Sequence, residues 1–368
     1  MSAADWSAAR NILCVRLDAL GDVLMCTPAL RALRSARAGR RLTLLSSNSG
    51  VAVAPFIDEL DAAIAYPAPW MKSSTNHDAQ ADAACVKSLA AQGFDGAVIF
   101  TSYSQSALPA AMLCYLAGIP LRLAHCRENP YQLLTDWIPD PEPGAMLRHE
   151  VRRQLDLVAA IGGVGDTAAG GLSFRVREQD IASVRARLLD AGIDARRPFI
   201  LLHPGASAPS RRYPAERWIE VLRALAARGA GALVMSGGGD ELALHEQIRA
   251  GCGYGVTVHS LGGQLDLGQL GAAVRLASVM VSNNTGPAHI AAAVGTPLVD
   301  LYALTNPQHT PWQVEHRVLF HDVDCRFCYK SDCPQGHHDC LAKIDPQQVA
   351  DAVCALLAST AQLARPVR

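Results

Sequence analysis

Residues 281–299 constrain the fold of this chain more than any other segment. They read Val-Ser-Asn-Asn-Thr-Gly-Pro-Ala-His-Ile-Ala-Ala-Ala-Val-Gly-Thr-Pro-Leu-Val. A short valine-containing strand over 277–282 meets a glycine turn, and Pro287 then opens a helix, since proline is best tolerated at the first helical position. Gly295 and Pro297 end that helix before a second apolar strand. The pattern predicts a strand–helix–strand unit of a parallel sheet.

The start of this predicted helix has the properties of an anion site. Its first N–H groups have no partners within the helix, and the helix dipole places partial positive charge there. The turn lies at the carboxyl end of a strand, where open α/β sheets bind nucleotides. Thr285 adds a hydroxyl, and His289 lies in the first helical turn. The alternative is a glycine turn that binds no ligand, with His289 as a surface or capping residue.

Strands and helices alternate on both sides of a glycine-rich segment, residues 162–171. Before it, strands are predicted over 11–16, 41–46 and 97–101, and helices over 22–35, 79–92, 107–116 and 149–161. After it, strands are predicted over 199–203, 231–236, 277–282 and 298–302, and helices over 178–191, 214–228, 241–250, 267–276, 287–294 and 345–357.

A length of 368 residues suggests two domains. We predict an N-terminal α/β domain over 1–165, a linker over 166–195 and a C-terminal α/β domain over 196–368. Two such domains, each with a parallel sheet, imply a cleft between them that is lined by strand ends.

Composition excludes several classes of protein. Half of the residues are hydrophobic and the formal net charge is −1, which argues against the basic footprint of a nucleic-acid-binding protein. No apolar run reaches the length of a membrane-spanning helix, and the N-terminus lacks the features of a signal peptide. We therefore expect a cytoplasmic protein. Arginines 31, 34, 37, 40 and 41 are clustered in the sequence. They form either a solvated face or a contact for acidic lipid headgroups. Membrane contact, if it occurs, is therefore expected to be peripheral.

The first predicted strand-to-helix turn carries two carboxylates, Asp18 and Asp22. Gly21 lets the backbone turn sharply, and Asp22 opens the helix. Asp22 is interpreted either as a helix cap or as a carboxylate that accepts a proton from a substrate hydroxyl. Asp18 is the lesser candidate for the second role.

The first strand of the second half runs into a loop with small and basic residues. Gly205 and Ser207 permit close approach of the backbone to a ligand, and Arg211 and Arg212 could grip phosphate oxygens with paired hydrogen bonds. The alternative is a solvated loop whose arginines bind nothing.

The next strand of the second half ends in glycines. Gly237 and Gly238 could allow a nucleoside to contact the backbone, or form a plain turn. A dehydrogenase is not indicated, because no strand runs into GxGxxG followed by an acidic residue about 20 positions later.

Four of the eleven cysteines cluster near the C-terminus, at Cys325, Cys328, Cys333 and Cys340. Thiolates at such spacing have the composition of a structural zinc or iron site, which would order a loop that packing alone does not. The alternative is a set of reduced, partly buried thiols, since a cytoplasmic chain is not expected to form disulfides.

Three segments in this order resemble glycosyltransferase family 9, the bacterial lipopolysaccharide heptosyltransferases. The segments are Leu-Gly-Asp-Val at 20–23 with Thr-Pro-Ala-Leu-Arg-Ala-Leu at 27–33, His-Pro-Gly-Ala-Ser at 203–207 with Arg-Arg-Tyr-Pro at 211–214, and Asn-Thr-Gly-Pro-Ala-His-Ile-Ala-Ala-Ala at 284–293. Together with a tail of Cys-Pro-Gln-Gly-His-His-Asp-Cys at 333–340, the resemblance covers about residues 11 to 356.

The resemblance implies a GT-B fold, with two facing Rossmann-like domains, and transfer of L-glycero-D-manno-heptose from an ADP-activated donor with inversion. Asp22 matches the family's catalytic base, and no metal or other cofactor is required for catalysis. The acceptor would be a lipopolysaccharide core or a related cell-envelope glycolipid. A protein hydroxyl as acceptor, or a catalytically weak nucleotide-sugar-binding protein, is the alternative.

Donor binding in the second half is predicted for His203, Gly205, Ser207, Arg211, Arg212, Gly237, Gly238, Asn284, Thr285, Gly286 and His289. Of these, the resemblance assigns Arg211 to the family's phosphate-binding position, and Thr285, Gly286 and His289 to its diphosphate-binding turn. One departure affects this set, because the family often has Asp where this chain has Asn284. An amide keeps an acceptor oxygen but loses the charge, which leaves the identity of the donor sugar open.

Overall fold

The computed structural model describes residues 5–72, 78–163 and 170–363. Within it the chain divides into two compact units, Met1–Ser173 and Phe174–Arg368. Each unit is built on its own parallel sheet, so the predicted α/β class is confirmed.

The first unit contains six strands and five α-helices among the described residues. In chain order they are β1 (Asn11–Val15), α1 (Leu20–Ser35), β2 (Arg41–Ser46), α2 (Asn48–Val53), β3 (Ala62–Ala65), α3 (Ala79–Ala91), β4 (Gly96–Ile99), α4 (Leu108–Leu116), β5 (Leu121–Cys126), β6 (Asp136–Pro139) and α5 (Glu150–Ala159). All neighbouring strands are parallel, in the order β3-β2-β1-β4-β5-β6.

The second unit repeats this plan. Its elements are α6 (Glu178–Asp190), β7 (Phe199–His203), α7 (Ala215–Ala227), β8 (Ala232–Met235), α8 (Leu242–Cys252), β9 (Val258–Ser260), α9 (Leu267–Leu276), β10 (Val279–Asn283), α10 (Gly286–Val294), β11 (Leu298–Leu301), β12 (His316–Leu319), α11 (Asp339–Ala342) and α12 (Pro346–Leu363). The parallel order is β12-β11-β10-β7-β8-β9. Counted from β7, this is the same 3-2-1-4-5-6 order as in the first unit.

The central strands are apolar because helices cover both faces of a parallel sheet. Strand β1 is buried from Ile12 onward, and β4, β7, β10 and β11 are buried throughout. The core of the second unit contains Trp218 and Leu222 of α7 and Val353 of α12, packed on this sheet. Helices α7 and α12 also contact each other, which closes one face of the core.

The strand order determines where a ligand can bind. In each sheet the order reverses between the first and fourth strands, β1 and β4 or β7 and β10, and ligands of open α/β sheets bind at the carboxyl ends of those strands. In the second sheet Ser282 of β10 lies opposite His203 of β7 in the register. The loop after His203 and the turn after Asn283 therefore start side by side.

The predicted elements exist, with ends that differ by up to about six residues, as expected when boundaries are read from sequence. Five strands were not predicted. Four of them, β3, β6, β9 and β12, are the edges of the two sheets, where one side of the strand is open and the apolar pattern is weak. The fifth, β5, was not predicted because the buried polar residues Arg122 and His125 interrupt its apolar sequence pattern.

The region predicted as a linker, residues 166–195, contains a structured element. Helix α6 lies within it and packs against α9 of the second unit, and the division between the compact units falls after Ser173. The predicted end of the N-terminal domain, at residue 165, lies outside the described residues.

Candidate functional site

A buried arginine organises the carboxyl end of β1 in the first unit. Arg16 is 1% exposed and forms ion pairs with Asp18 at 2.8 Å, Asp22 at 3.1 Å and Glu150 of α5 at 2.6 Å. Gln154 donates a further hydrogen bond of 2.7 Å to Glu150. A single guanidinium therefore holds three carboxylates, which is the arrangement that its five donors permit.

Asp22 lies in the first turn of α1, as predicted. Its Oδ2 accepts a hydrogen bond of 3.2 Å from the backbone N–H of Ala19, and its Oδ1 accepts one from Arg16 Nη2. The side chain is 21% exposed. Asp22 therefore contributes to the helix start, and it also keeps an accessible edge that a substrate hydroxyl could reach.

Asp18 is held more tightly than Asp22. One oxygen pairs with Arg16 Nε, and the other accepts a hydrogen bond of 2.7 Å from Gln105. Burial raises the pKa of this carboxyl. With both oxygens engaged, Asp18 is the poorer candidate for proton transfer. Arg16, Gln105 and Glu150 had no recognisable signal in the sequence.

In the second unit, Asn283 ties the loop after β7 to the end of β10. Its amide nitrogen donates to the carbonyls of Pro204 at 2.7 Å and Gly205 at 3.2 Å, while its oxygen accepts from the Tyr213 N–H at 3.1 Å. Asn283 is wholly buried. The loop that carries Arg211 and Arg212 is thereby held beside the turn that begins α10.

The turn before α10 has the predicted form. Thr285 is extended and precedes the helix, Pro287 follows Gly286, and no side chain caps the helix among the residues that the structure describes. Thr285 Oγ1 donates instead to the carbonyl of Asn283 at 3.2 Å. The N-terminus of α10 therefore has the donors and the partial charge that could bind an anion. His289 is buried, with 5% exposure.

Asn284 occupies a more buried position than the neighbouring turn residues. Its amide nitrogen donates to Asp300 Oδ2 and to the carbonyl of His309, both at 2.9 Å. Asp300 lies in β11, directly beside β10. Asp300 has no signal in the sequence, because a single Asp in an apolar strand has no motif around it.

Glu241 is a further residue that the sequence analysis missed. A Cβ atom on Gly205 would overlap its carboxylate, and one on Gly237 would lie 2.6 Å from its Oε2. Glu241 Oε2 also accepts a hydrogen bond of 2.9 Å from the Gly238 N–H. The three glycines therefore surround one carboxylate, whose pKa is raised by its burial.

The two arginines of the loop after β7 have different surroundings. Arg212 is exposed, and its Nε donates a hydrogen bond of 2.6 Å to the Ala206 carbonyl. One of its hydrogen-bond donors is therefore used within the loop itself. Arg211 is half-buried, and its positive charge opposes the burial that raises the pKa of Asp300. Ser207, in the same loop, is exposed.

His203 ends β7 beneath this loop and is buried. Its Nδ1 lies 3.2 Å from Ser236 Oγ, and burial lowers its pKa to about 4. The imidazole is therefore neutral at physiological pH. We expect His203 to support the loop from below.

The cysteine segment, residues 325–340, packs on the same region of the second unit. Phe327 and Tyr329 donate backbone hydrogen bonds of 2.6 and 2.8 Å to Leu304 and Thr305. Ser210, beside Arg211, donates from its N–H to the Ser331 carbonyl and from its hydroxyl to the Lys330 carbonyl, both at 2.9 Å. The segment therefore supports the loop that carries Arg211.

The predicted metal ligands are not arranged as a metal site. Cys325 Sγ lies 3.7 Å from His337 Nε2, but over residues 5–72, 78–163 and 170–363 no three Cys, His, Asp or Glu side chains are grouped to hold an ion. All four thiols, including Cys328, Cys333 and Cys340, are free and half-buried.

Most of the clustered arginines form ion pairs or hydrogen bonds within the first unit. Arg31 pairs with Glu59 at 2.9 Å, and Arg34 pairs with Asp61 at 2.9 Å. Arg40 is 4% exposed and donates only to backbone carbonyls. The cluster is therefore largely structural. In the part of the chain that the structure describes, no helix combines the length and apolarity needed to cross a bilayer.

The sequence model of glycosyltransferase family 9 (heptosyltransferase) matches residues 83–338. The chain belongs to this family. A lipooligosaccharide heptosyltransferase 2 from Haemophilus ducreyi is 30% identical over 197 residues, which are 50% of this chain and 55% of the relative. The chain therefore matches about half the length of such family 9 relatives.

Solved structures share the fold across nearly the whole chain. A family 9 glycosyltransferase from Veillonella parvula has a TM-score of 0.79 at 22% identity, covering 95% of this chain and 98% of its own. The Escherichia coli ADP-heptose lps heptosyltransferase II has a TM-score of 0.72 at 22% identity, covering 95% and 99%. The GT-B class expected from the resemblance is confirmed.

Proposed function

We propose that this chain is an inverting glycosyltransferase that transfers heptose from ADP-L-glycero-D-manno-heptose to a lipopolysaccharide core or a related cell-envelope acceptor. The observation that carries the proposal is the uncapped start of α10, at the point where the second sheet reverses its strand order. Membership of family 9 and the name of the E. coli relative support the donor and the acceptor.

The second unit supplies what a nucleoside diphosphate needs. The N-terminus of α10 and the Arg211 guanidinium offer positive charge and hydrogen-bond donors to the diphosphate. Gly205 and Gly237 lack side chains where the backbone must approach the nucleoside. Glu241, set between them, can accept hydrogen bonds from ribose hydroxyls, as acidic residues do in related nucleotide-binding folds.

Asp22 is the proposed base. As an acceptor hydroxyl oxygen attacks the anomeric carbon, the bond from that carbon to the diphosphate oxygen breaks. ADP leaves with the bonding electron pair, and Asp22 takes the hydroxyl proton. Attack opposite the leaving group inverts the anomeric configuration. Arg211 and the start of α10 would stabilise the negative charge that grows on the diphosphate.

The test is ADP release by the purified full chain with ADP-heptose and a heptose-deficient lipopolysaccharide. Asp22→Ala is compared with wild type, and Asp190→Ala, which removes an exposed helical carboxylate in α6, is the matched control. We expect acceptor-dependent release that Asp22→Ala abolishes and Asp190→Ala preserves, with ADP affinity unchanged in all three proteins.

Other outcomes separate the alternatives. Release with a protein acceptor but not with lipopolysaccharide would make the chain a protein heptosyltransferase. Donor binding without release to either acceptor would indicate a binding-only protein. Absence of donor binding would overturn the assignment of the sugar nucleotide.

A further inference from the structure

Asp300 is an acidic residue in the interior of the second sheet. It is fully buried in β11, between Val299 and Leu301, and lies opposite Ser282 of β10. Its Oδ2 accepts the hydrogen bond from Asn284, whereas its Oδ1 accepts none from the residues that the structure describes. A buried carboxylate with an unpaired oxygen is costly. Packing alone would favour an apolar residue in this strand.

The partner of Asp300 is the amide that begins the turn before α10. An amide nitrogen has two N–H donors, and both donors of Asn284 are used, one by Asp300 and one by the His309 carbonyl. The Asn284 oxygen, on the opposite edge of the amide, accepts no hydrogen bond from the described residues. Asn284 immediately precedes Thr285 in the chain, so its amide adjoins the turn of the proposed donor site.

The carboxylate determines which edge of the amide is available. Rotation of the Asn284 amide by half a turn would place its oxygen against Asp300 and the His309 carbonyl, which are both acceptors. Such a contact is repulsive, and the nitrogen would lose both partners. Asp300 therefore selects one of the two amide orientations, and the hydrogen bond to a charged acceptor is stronger than one to a neutral acceptor.

We propose that Asp300 is a positioning residue of the donor site, which holds Asn284 with its oxygen presented to a hydroxyl of the donor sugar. The inference rests on the proposed function of the second unit as a nucleotide-sugar site. It also accounts for Asn at position 284. An aspartate there would face the Asp300 carboxylate directly, so in this chain the negative charge lies one strand away and acts through the amide.

Four groups surround the Asp300 carboxyl. The charge of Arg211, from the loop after β7, favours the ionised carboxylate, Asn284 stabilises it by hydrogen bonding, and Tyr302 lies just beyond the end of β11. The His309 segment lies across the Asn284 amide. Burial outweighs Arg211 and Asn284 and raises the Asp300 pKa to about 7. Protonation weakens the carboxyl as an acceptor, so the hold on Asn284 should loosen as the pH falls below this value.

The experiment compares the affinities of the full chain for ADP-heptose and for ADP by calorimetry, because only the first ligand carries the sugar. Asp300→Leu removes the acceptor, while Asp300→Asn is isosteric with Asp and keeps an acceptor oxygen. We expect Asp300→Leu to weaken ADP-heptose binding about tenfold and ADP binding less than about twofold. Asp300→Asn should recover most of the loss.

Two further measurements sharpen the test. Asn284→Asp alone should weaken ADP-heptose binding, and adding Asp300→Asn should restore part of it, since the pair again holds one carboxylate and one amide. In wild type the preference for ADP-heptose over ADP should fall below about pH 7, and Asp300→Asn should remove this dependence.

The inference is overturned if Asp300→Leu binds ADP-heptose as wild type does, or if it loses ADP and ADP-heptose equally, as a merely structural residue would. Wild-type protein that binds neither ligand would instead overturn the proposed function itself. An Asn284→Asp/Asp300→Asn protein no better than Asn284→Asp would also contradict a paired role.

Discussion

Arg16 Nη2 donates a hydrogen bond of 3.1 Å to Asp22 Oδ1. The same guanidinium pairs with Asp18 and with Glu150, which lies 134 residues further along the chain. The proposed base is therefore oriented by a buried cation that α5 helps to hold. Orientation of this kind holds the Asp22 side chain in one position, which suits a group that must accept a proton.

Arg16→Met is expected to destabilise the protein strongly. The change leaves three carboxylates without their shared partner, and breaking a buried ion pair typically costs about 3–5 kcal/mol. The free energy of unfolding would be measured by urea titration. Arg152→Met is the control, because Arg152 is 53% exposed and pairs with Asp156 at the surface, where such pairs contribute at most about 1 kcal/mol. Equal losses in the two variants would contradict the central role of Arg16.

Gly205→Ala is expected to weaken ADP binding by at least about tenfold, measured by calorimetry. The new Cβ would overlap the Glu241 carboxylate and displace it from the proposed ribose site. Gly239→Ala is the matched control, since a Cβ there meets nothing within 4 Å. If both variants bind ADP as wild type does, Glu241 is not part of the donor site.

Asp300→Asn is expected to change how stability depends on pH. Because the folded pKa of Asp300 is raised to about 7, its contribution to stability is present at low pH and is lost as the pH rises through that value. Asparagine does not ionise, so the variant should gain roughly 1–3 kcal/mol over wild type between about pH 5 and about pH 8. Urea unfolding at both pH values checks this. Asp190→Asn, at an exposed site, should show the same change in unfolding free energy with pH as wild type. If Asp300→Asn also shows the same change as wild type, the shifted pKa of Asp300 is contradicted.

Removal of metal is expected to leave ADP affinity unchanged within about twofold under reducing conditions. The cysteine segment is attached to Leu304, Thr305 and Ser210 by hydrogen bonds, and no three of its side chains are grouped to hold an ion in the described structure. The measurement combines elemental analysis with calorimetry before and after chelation. Ser210→Ala, which loses its hydroxyl contact to Lys330, should weaken ADP binding instead. Stoichiometric zinc or iron whose removal weakens binding would restore the prediction of a structural metal site.

Local sequence carried most of the information about architecture. The alternation of short apolar runs with helical segments predicted the interior strands β1, β2, β4, β7, β8, β10 and β11. Interior strands are covered on both faces, so they must be apolar throughout, and their ends are marked by glycine and proline. The edge strands escaped prediction because one open side removes that requirement.

Local sequence patterns also predicted that the candidate residues lie at strand ends. They did not predict which other residues these side chains contact. Asp22, Gly205, Arg211 and Thr285 each stand beside a glycine or proline turn, which a local pattern can reveal. The resemblance places Arg211 at the family's phosphate-binding position, but adjacent residues cannot be told apart by a local pattern. In the fold, Arg212 is exposed and donates to its own loop, whereas Arg211 is half-buried.

The sequence by itself determined the α/β class and the family, and it predicted the two-part organisation and the turns where chemistry would lie, since each depends on patterns within a few tens of residues. Only the tertiary structure decided which groups meet at those turns. Arg16 reaches Glu150, and Asn284 reaches Asp300, through the packing of a helix and the register of parallel strands. Such contacts join elements that are distant in the chain, and whether a buried charge has a partner depends on that geometry.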